Sequence, residues 1–229
     1  MRLDKYLSHS TGESRKEIRR LLKRGEVLVN GIEVKDAAMH VSESDEIELF
    51  DQQVAAPSEK YIMLHKPEGY LSANQDGDHP SVLNLLDEPR AQELMICGRL
   101  DADTTGLLLI TSDGQWCHRV ASPKHKTGKR YLVETADPID PAAVGQFEEG
   151  ILLKGETFRT KPAELHILEE QLAEVVLTEG RYHQVKRMFA ATGNKVVQLH
   201  RLSVGDIVLD EDLMPGEYRY LTEEEIGSI

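Results

Sequence analysis

Apolar and polar positions alternate in two different ways along the chain. Between Ser14 and Gly25 the apolar residues Ile18, Leu21 and Leu22 recur at helical spacing, and polar residues fill the rest of the turn. Ser14-Arg-Lys-Glu17 reads as a capping box in which Glu17 returns a hydrogen bond to the cap, and Gly25 stops the helix. Glu26 to Val34 alternates around Asn30-Gly31, the pair that a two-residue hairpin turn favours, and Asp45 to Phe50 reads as a further strand. Residues 1–50 are therefore expected to form a small α+β module with little core of its own. Residues 51–59 are polar with a proline and read as a linker. Beyond them, Tyr61 to His65 predicts a strand. Gly106 to Ile110, apolar throughout, predicts a strand buried on both faces. Further strands are expected at 130–135, 173–178, 195–199 and 206–209, with helices near 116–121 and 181–192, the second stopped by Gly193-Asn194. Residues 60–229 thus form a larger α+β domain. The chain contains no internal repeat.

Charge changes this picture. The formal net charge is -13, which argues against a polyanionic partner until its distribution is considered. Residues 1–30 carry eight Lys/Arg against four Asp/Glu. Arg15, Lys16, Arg19, Arg20, Lys23 and Arg24 all fall on the half of the predicted helix opposite its apolar arc, where like charges repel unless an anion meets them. Two later stretches contain no acid: Gln115 to Tyr131, with Arg119, Lys124, Lys126, Lys129 and Arg130, and Arg181 to Gly205, with Arg181, Lys186, Arg187, Lys195 and Arg201. Three basic islands in an acidic chain suit a protein that binds a polyanion on one face.

Candidate chemistry centres on Gly98-Arg-Leu-Asp-Ala-Asp-Thr-Thr-Gly106. Asp101 and Asp103 lie on the loop that enters the buried strand. A carboxylate carried there without a partner costs several kcal/mol, roughly, so it either caps a wet turn or stands beside a cation. On the helix after Arg181, Val185, Met188, Phe189 and Thr192 share the core arc, while His183, Lys186 and Arg187 share the other, which suits a phosphate or a carboxylate. The nine histidines form no helical metal pair, and His118 and His125 are too far apart for one helical face. Cys97 and Cys117 alone make neither a disulfide framework nor a cysteine metal site, and a reducing, cytoplasmic location follows. No phosphate-binding loop, dinucleotide fingerprint or nucleophile elbow is present, and no apolar run has the length of a membrane span. What remains is a carboxylate loop, basic islands, and Tyr131 and Tyr182 among the cations, a set suited to chemistry on a nucleotide.

At these motifs the chain resembles the RsuA family of bacterial rRNA pseudouridine synthases, over essentially its whole length. Met1 to Lys5 through Val29-Asn-Gly31 is similar to the S4-type RNA-binding module, and Lys66-Pro-Glu-Gly69 to the first catalytic-domain motif. Gly98 to Gly106 matches GRLDxxTxGL, Lys129-Arg-Tyr-Leu-Val133 matches KxYxV, and Glu179 to Met188 matches the third motif. The resemblance implies an S4-type domain followed by a mixed, mainly antiparallel sheet with flanking helices. It implies Asp101 as the catalytic aspartate, Tyr131 as the tyrosine that contacts a flipped base, and Lys186 where many relatives place an arginine beside that aspartate. Asp103 takes no catalytic role in it. Arg2, Lys5, Arg15, Arg19, Arg20, Lys23, Arg99, Lys129, Arg181, His183 and Arg187 become candidate RNA contacts. Tyr182-His183-Gln184, where large-subunit relatives more often read Asn-Arg-Gln, points to 16S rRNA, within a small-subunit assembly intermediate. Neither cofactor nor metal is implied, nor a membrane partner, and the chain is expected to be a monomer. Competing readings are a 23S rRNA enzyme of the same family, a non-catalytic assembly factor with a degenerate enzyme domain, and a glycosidase, which would need a second carboxylate near Asp101.

Overall fold

The computed structural model describes residues 1–42, 44–73, 80–122 and 127–229. The chain forms two compact units, Met1–Glu59 and Lys60–Ile229.

In the first unit, helices α1 (Leu3–Thr11) and α2 (Arg15–Arg24) lie with strands β1 (Val27–Val29), β2 (Ile32–Glu33), β3 (Ile47–Leu49) and β4 (Gln52–Gln53), which pair antiparallel in the order β2-β1-β3-β4. Leu3, Leu7, Ile18, Leu22 and Val27 are wholly buried and form its core. Asn30 and Gly31 both take positive φ, 52° and 75°, the conformation a two-residue hairpin turn requires. Three details depart from the sequence reading. Helix α1 was not expected. Gln52–Gln53, read as linker, pairs with β3. The capping box is half formed: Ser14 accepts from the Glu17 amide, but the Glu17 carboxylate turns to Arg20 at 2.8 Å.

The second unit carries β5 (Tyr61–Lys66), β6 (Met95–Ile96), β7 (Thr105–Thr111), β8 (Lys129–Thr135), β9 (Glu164–Glu169), β10 (Leu172–Leu177), β11 (Val196–Val204), β12 (Ile207–Val208) and β13 (Tyr218–Tyr220). Their backbone order is β13-β5-β7-β11-β8-β10-β9, with β6 on β7 and β12 on β11. The β7–β11 pair is parallel and the other strand pairs are antiparallel, which is the mixed, mainly antiparallel sheet expected. Helices α3 (Gly114–Ala121), α4 (Ala142–Glu149), α5 (Gln184–Ala191) and α6 (Glu223–Gly227) accompany the sheet. Alternate residues of the strands feed two apolar clusters. Leu108, Ile110, Val133 and Val175 join Phe147 and Phe189 in one; Leu107, Leu109 and Met63 join Trp116 and Val120 in the other. Strand β7 is therefore buried on both faces, as its unbroken apolar run predicts.

Gly106 makes the parallel pairing possible. Its φ is +103°, and a Cβ there would fall 2.3 Å from the Arg201 carbonyl oxygen. Arg201 itself is buried and donates Nε to the Leu107 carbonyl at 2.7 Å. Its place in a basic island was thus no sign of a surface cation.

Candidate active site

The loop that enters β7 is fixed from within the core. Lys66 ends β5 with its side chain fully buried, and Nζ donates to the carbonyls of Pro67, Ala102 and Thr104 at 3.0, 3.2 and 2.7 Å. Three donors thus meet three acceptors. The Ala102 carbonyl also accepts from the Gly69 amide at 2.8 Å, and the Thr104 amide donates back to the Asp101 carbonyl at 3.1 Å. Ser72 Oγ both accepts from the Leu100 amide and donates to its carbonyl, each at 3.1 Å. Burial pulls Lys66 down to about 8, although Asp103, Asp101 and Glu68 favour its charge.

Helix α5 supplies the cations. Val185, Met188 and Phe189 are buried and hold the helix, with the Phe189 ring 5.1 Å from that of Phe147. On the opposite arc, Lys186 Nζ lies 3.2 Å from Asp101 Oδ2 and 2.6 Å from Asp103 Oδ1. Burial works against the Lys186 charge, but the hydrogen bonds and charges of both carboxylates outweigh it and hold the group above its ordinary range. Asp103 in turn is held below the usual carboxylate range, chiefly by the Lys186 hydrogen bond. The helix starts later than its sequence pattern suggests. His183 sits before it at φ 50°, a left-handed conformation that costs about 1 kcal/mol or more in a non-glycine residue. That turn sets His183 Nε2 3.3 Å from Asp101 Oδ1 and stacks the ring on Tyr182, centroids 3.7 Å apart.

Asp101, Lys186 and His183, three of the candidates, thus converge. Tyr131 is almost fully buried on β8 and joins the apolar cluster that contains Leu100 and Val185, the chain neighbours of Asp101 and Lys186. Asp103, read as a turn residue, shares the ammonium with Asp101.

Several candidate RNA contacts are occupied otherwise. Lys129 is buried, donates to the Thr127 carbonyl at 3.1 Å, and is pulled down to about 8 by burial, so it is a structural amine and not a surface phosphate contact. Arg181 and Arg187 both grip Glu156, Arg187 at 2.6 Å. Arg181 also donates to the Phe158 and Arg159 carbonyls, and Arg187 to those of Tyr182 and Lys154. In the first unit, Arg2 and Arg19 meet the buried carboxylate of Asp4 at 2.9 and 3.1 Å. Lys5, Arg15, Lys23 and Arg99 are exposed. Lys124, His125 and Lys126 lie outside the described residues. Among the described residues no group of three His, Cys, Asp or Glu side chains is placed to hold a metal ion.

The sequence placed Lys66 in a motif similar to the first catalytic-domain motif without a role of its own, and gave Glu156 none. Lys66 had a signal, a cation closing an apolar strand just before a proline. Glu156 had none, being 25 and 31 positions from the arginines it joins.

Comparison with known proteins identifies the two domains and the family. Residues 60–191 match the RNA pseudouridylate synthase family and residues 1–47 match the S4 domain. A Vibrio parahaemolyticus protein named ribosomal small subunit pseudouridine synthase A is 52% identical, over 100% of this chain and 99% of its own. A Yersinia pestis protein of the same name is 50% identical, over 100% of this chain and 98% of its own. A crystal structure described as a pseudouridylate synthase superposes with a TM-score of 0.73 at 47% identity, covering 100% of this chain and 99% of that one. The chain belongs to the RNA pseudouridylate synthase family, enzymes that isomerise uridine in RNA, and carries an S4 domain ahead of its catalytic domain.

Proposed function

We propose that this enzyme converts one specific uridine of bacterial 16S rRNA to pseudouridine, with Asp101 as the catalytic carboxylate. The observation that carries the reading is the setting of Asp101: it stands on a loop clasped by buried Lys66, with Lys186 and His183 on its two oxygens. The names of full-length relatives near 50% identity support the small-subunit substrate.

The reaction breaks the bond from ribose C1′ to uracil N1, turns the base, and joins C1′ to C5. The C5 proton leaves and N1 gains one, so no net oxidation occurs. Asp101 acts as a carboxylate, by adding to the sugar or base or by assisting elimination, and Lys186 opposes the cost of holding that charge away from water. The uridine must leave its stack, at a cost of a few kcal/mol, roughly. Contact with Tyr131 offsets part of this. RNA held by exposed cations elsewhere gives affinity without chemistry. The substrate form is a small-subunit assembly intermediate, the enzyme acts as a monomer, and its place is the cytoplasm, where ribosomes are built.

The test is tritium release from 16S rRNA labelled at uracil C5, with pseudouridine mapped in rRNA of cells lacking the protein. Release and the loss of one 16S pseudouridine are expected. Loss of a 23S site instead would move the substrate to the large subunit. Binding without release would make the protein an assembly factor, and liberated free uracil would make it a glycosidase.

A further inference from the structure

Two large aromatic side chains stand in solvent on backbone segments that share the Glu156 clasp, one of them next to His183 in the chain, and neither belongs to the core. Phe158 is 78% exposed and Tyr182 is 76% exposed, whereas Phe147 and Phe189 in the same unit are wholly buried. Exposing a phenyl ring forfeits about 2 kcal/mol of burial, so two such rings on segments clasped together call for a partner. The backbone beneath them is held firmly. Glu156 takes Arg181 on one oxygen and Arg187 on the other. Arg181 donates to the Phe158 carbonyl at 3.0 Å and to that of Arg159 at 2.7 Å. Arg187 donates to the Tyr182 carbonyl at 3.1 Å. One carboxylate and two guanidinium groups therefore tie the Phe158 loop to the Tyr182 turn.

The position is also specific. Tyr182 stacks on His183 at an interplanar angle of 21°, and His183 touches Asp101. A flat ligand on the outer face of Tyr182 would continue a stack that ends at the reacting carboxylate. Bases next to an extruded uridine are such ligands, since unpairing leaves their faces open and aromatic side chains take them without regard to sequence.

We infer that Phe158 and Tyr182 form a stacking ledge for the nucleotides flanking the target uridine, and that Glu156, through its two arginines, positions that ledge against the active site. This rests on the function proposed above. Arg181 and Arg187 then serve RNA binding by building the ledge, not as phosphate contacts.

The experiment measures RNA affinity and turnover separately. In an Asp101→Asn background, Phe158→Ala and Tyr182→Ala should each weaken binding of transcribed 16S rRNA about tenfold, within the range for loss of a base-stacking aromatic. Tyr182→Phe should restore affinity. Glu156→Ala should weaken binding similarly and add little on top of Phe158→Ala, because both remove the same ledge. Phe158→Trp supplies a direct signal: the emission of the introduced indole should be quenched by RNA, while the buried Trp116 gives a constant background. With Asp101 intact, Phe158→Ala should raise KM more than it lowers kcat. Wild-type affinity in both alanine variants, or unquenched emission from the Phe158→Trp variant at saturating RNA, overturns the ledge. If the parent enzyme isomerises a different RNA, the substrate assignment fails, and the same measurements on that RNA decide the ledge independently.

Discussion

Lys186 bridges two carboxylates, and it lies closer to Asp103 than to Asp101, 2.6 against 3.2 Å. The partner proposed for catalysis therefore holds the longer of the two contacts. Asp103 takes up part of the ammonium's charge and fixes its place, which makes it a positioning residue in the proposed site. Asp101→Asn is expected to abolish isomerisation by several orders of magnitude while RNA affinity stays within a few-fold. Asp103→Asn should cost far less, roughly tenfold or under. Lys186→Met should lower turnover about a hundredfold, and Lys186→Arg should keep most of it. Tritium release under single-turnover conditions checks all four. A dead Asp103→Asn enzyme beside an active Asp101→Asn enzyme would move the chemistry from Asp101 to Asp103.

Lys66 offers a test tied to pH. Its buried amine is pulled down to about 8 from an ordinary 10.5, and Lys129 behaves likewise. Between those values the unfolded chain binds more protons than the folded one, so each lysine makes stability rise with pH over that window. Lys66→Met removes one of the two contributions. Its unfolding free energy should climb less steeply between about pH 8 and 10 than that of the parent. It also frees the carbonyls of Ala102 and Thr104, so kcat should fall with little change in RNA affinity. Parallel stability curves for variant and parent would show that the Lys66 proton does not titrate on unfolding.

The fold was legible wherever local chemistry decides structure. The unbroken apolar run of β7, the Asn30-Gly31 turn and the apolar arc of α5 each reflect burial or backbone preference at neighbouring positions. Helix α1 was missed although Leu3, Tyr6 and Leu7 have helical spacing, because the segment also holds Asp4, Ser8, Ser10 and Thr11, of which the Asp and Ser side chains compete for the backbone and the β-branched Thr loses rotamer freedom in a helix. At the site, Asp101, His183 and Lys186 were legible as separate cues, and their meeting was expected for Lys186. The ion pairs of the arginines were not legible, for a physical reason. A guanidinium on the surface and one gripping Glu156 look alike in sequence, because the partner comes from a distant loop. Buried Lys66, Lys129 and Arg201 are the same difficulty in stronger form, since all three meet backbone carbonyls, which leave no mark in the sequence.

Gly106→Ala probes the scaffold under the catalytic loop. The added methyl would lie 2.3 Å from a backbone oxygen of β11 and would demand φ +103° of a residue with a Cβ. The opposing atoms belong to backbone and not to a flexible side chain, so the two strands must separate. A loss of about 3 kcal/mol or more is expected, seen as a lower midpoint in denaturant. Gly98→Ala is the control: its φ of +84° is also strained, but no atom of the described residues stands within 4 Å of the new Cβ, so it should cost only about 1 kcal/mol. Equal losses at the two sites would mean that strand contact adds nothing to backbone strain.

Helix α2 carries the last prediction, and the structure changes which residues to choose. Arg19 is held by the buried Asp4 and Arg20 by Glu17, so removing either confounds binding with stability. Asp4 itself is desolvated, but hydrogen bonds from Arg2 and Arg19 outweigh that and hold it below the usual range. Its contribution to stability is present above the ordinary carboxylate range and fades as pH falls through its lowered folded value. Arg15, Lys16 and Lys23 are exposed and carry no ion pair among the described residues. Changing these three to Gln should leave thermal stability within about 0.5 kcal/mol, as for surface sites generally. If each meets a phosphate, the slope of log affinity against log salt should flatten by about 2 to 3 units, because every lost contact releases fewer counterions. Turnover at saturating RNA should change little, since this helix acts through affinity. A triple variant with the parental salt slope would show that the basic face of α2 does not meet RNA phosphates.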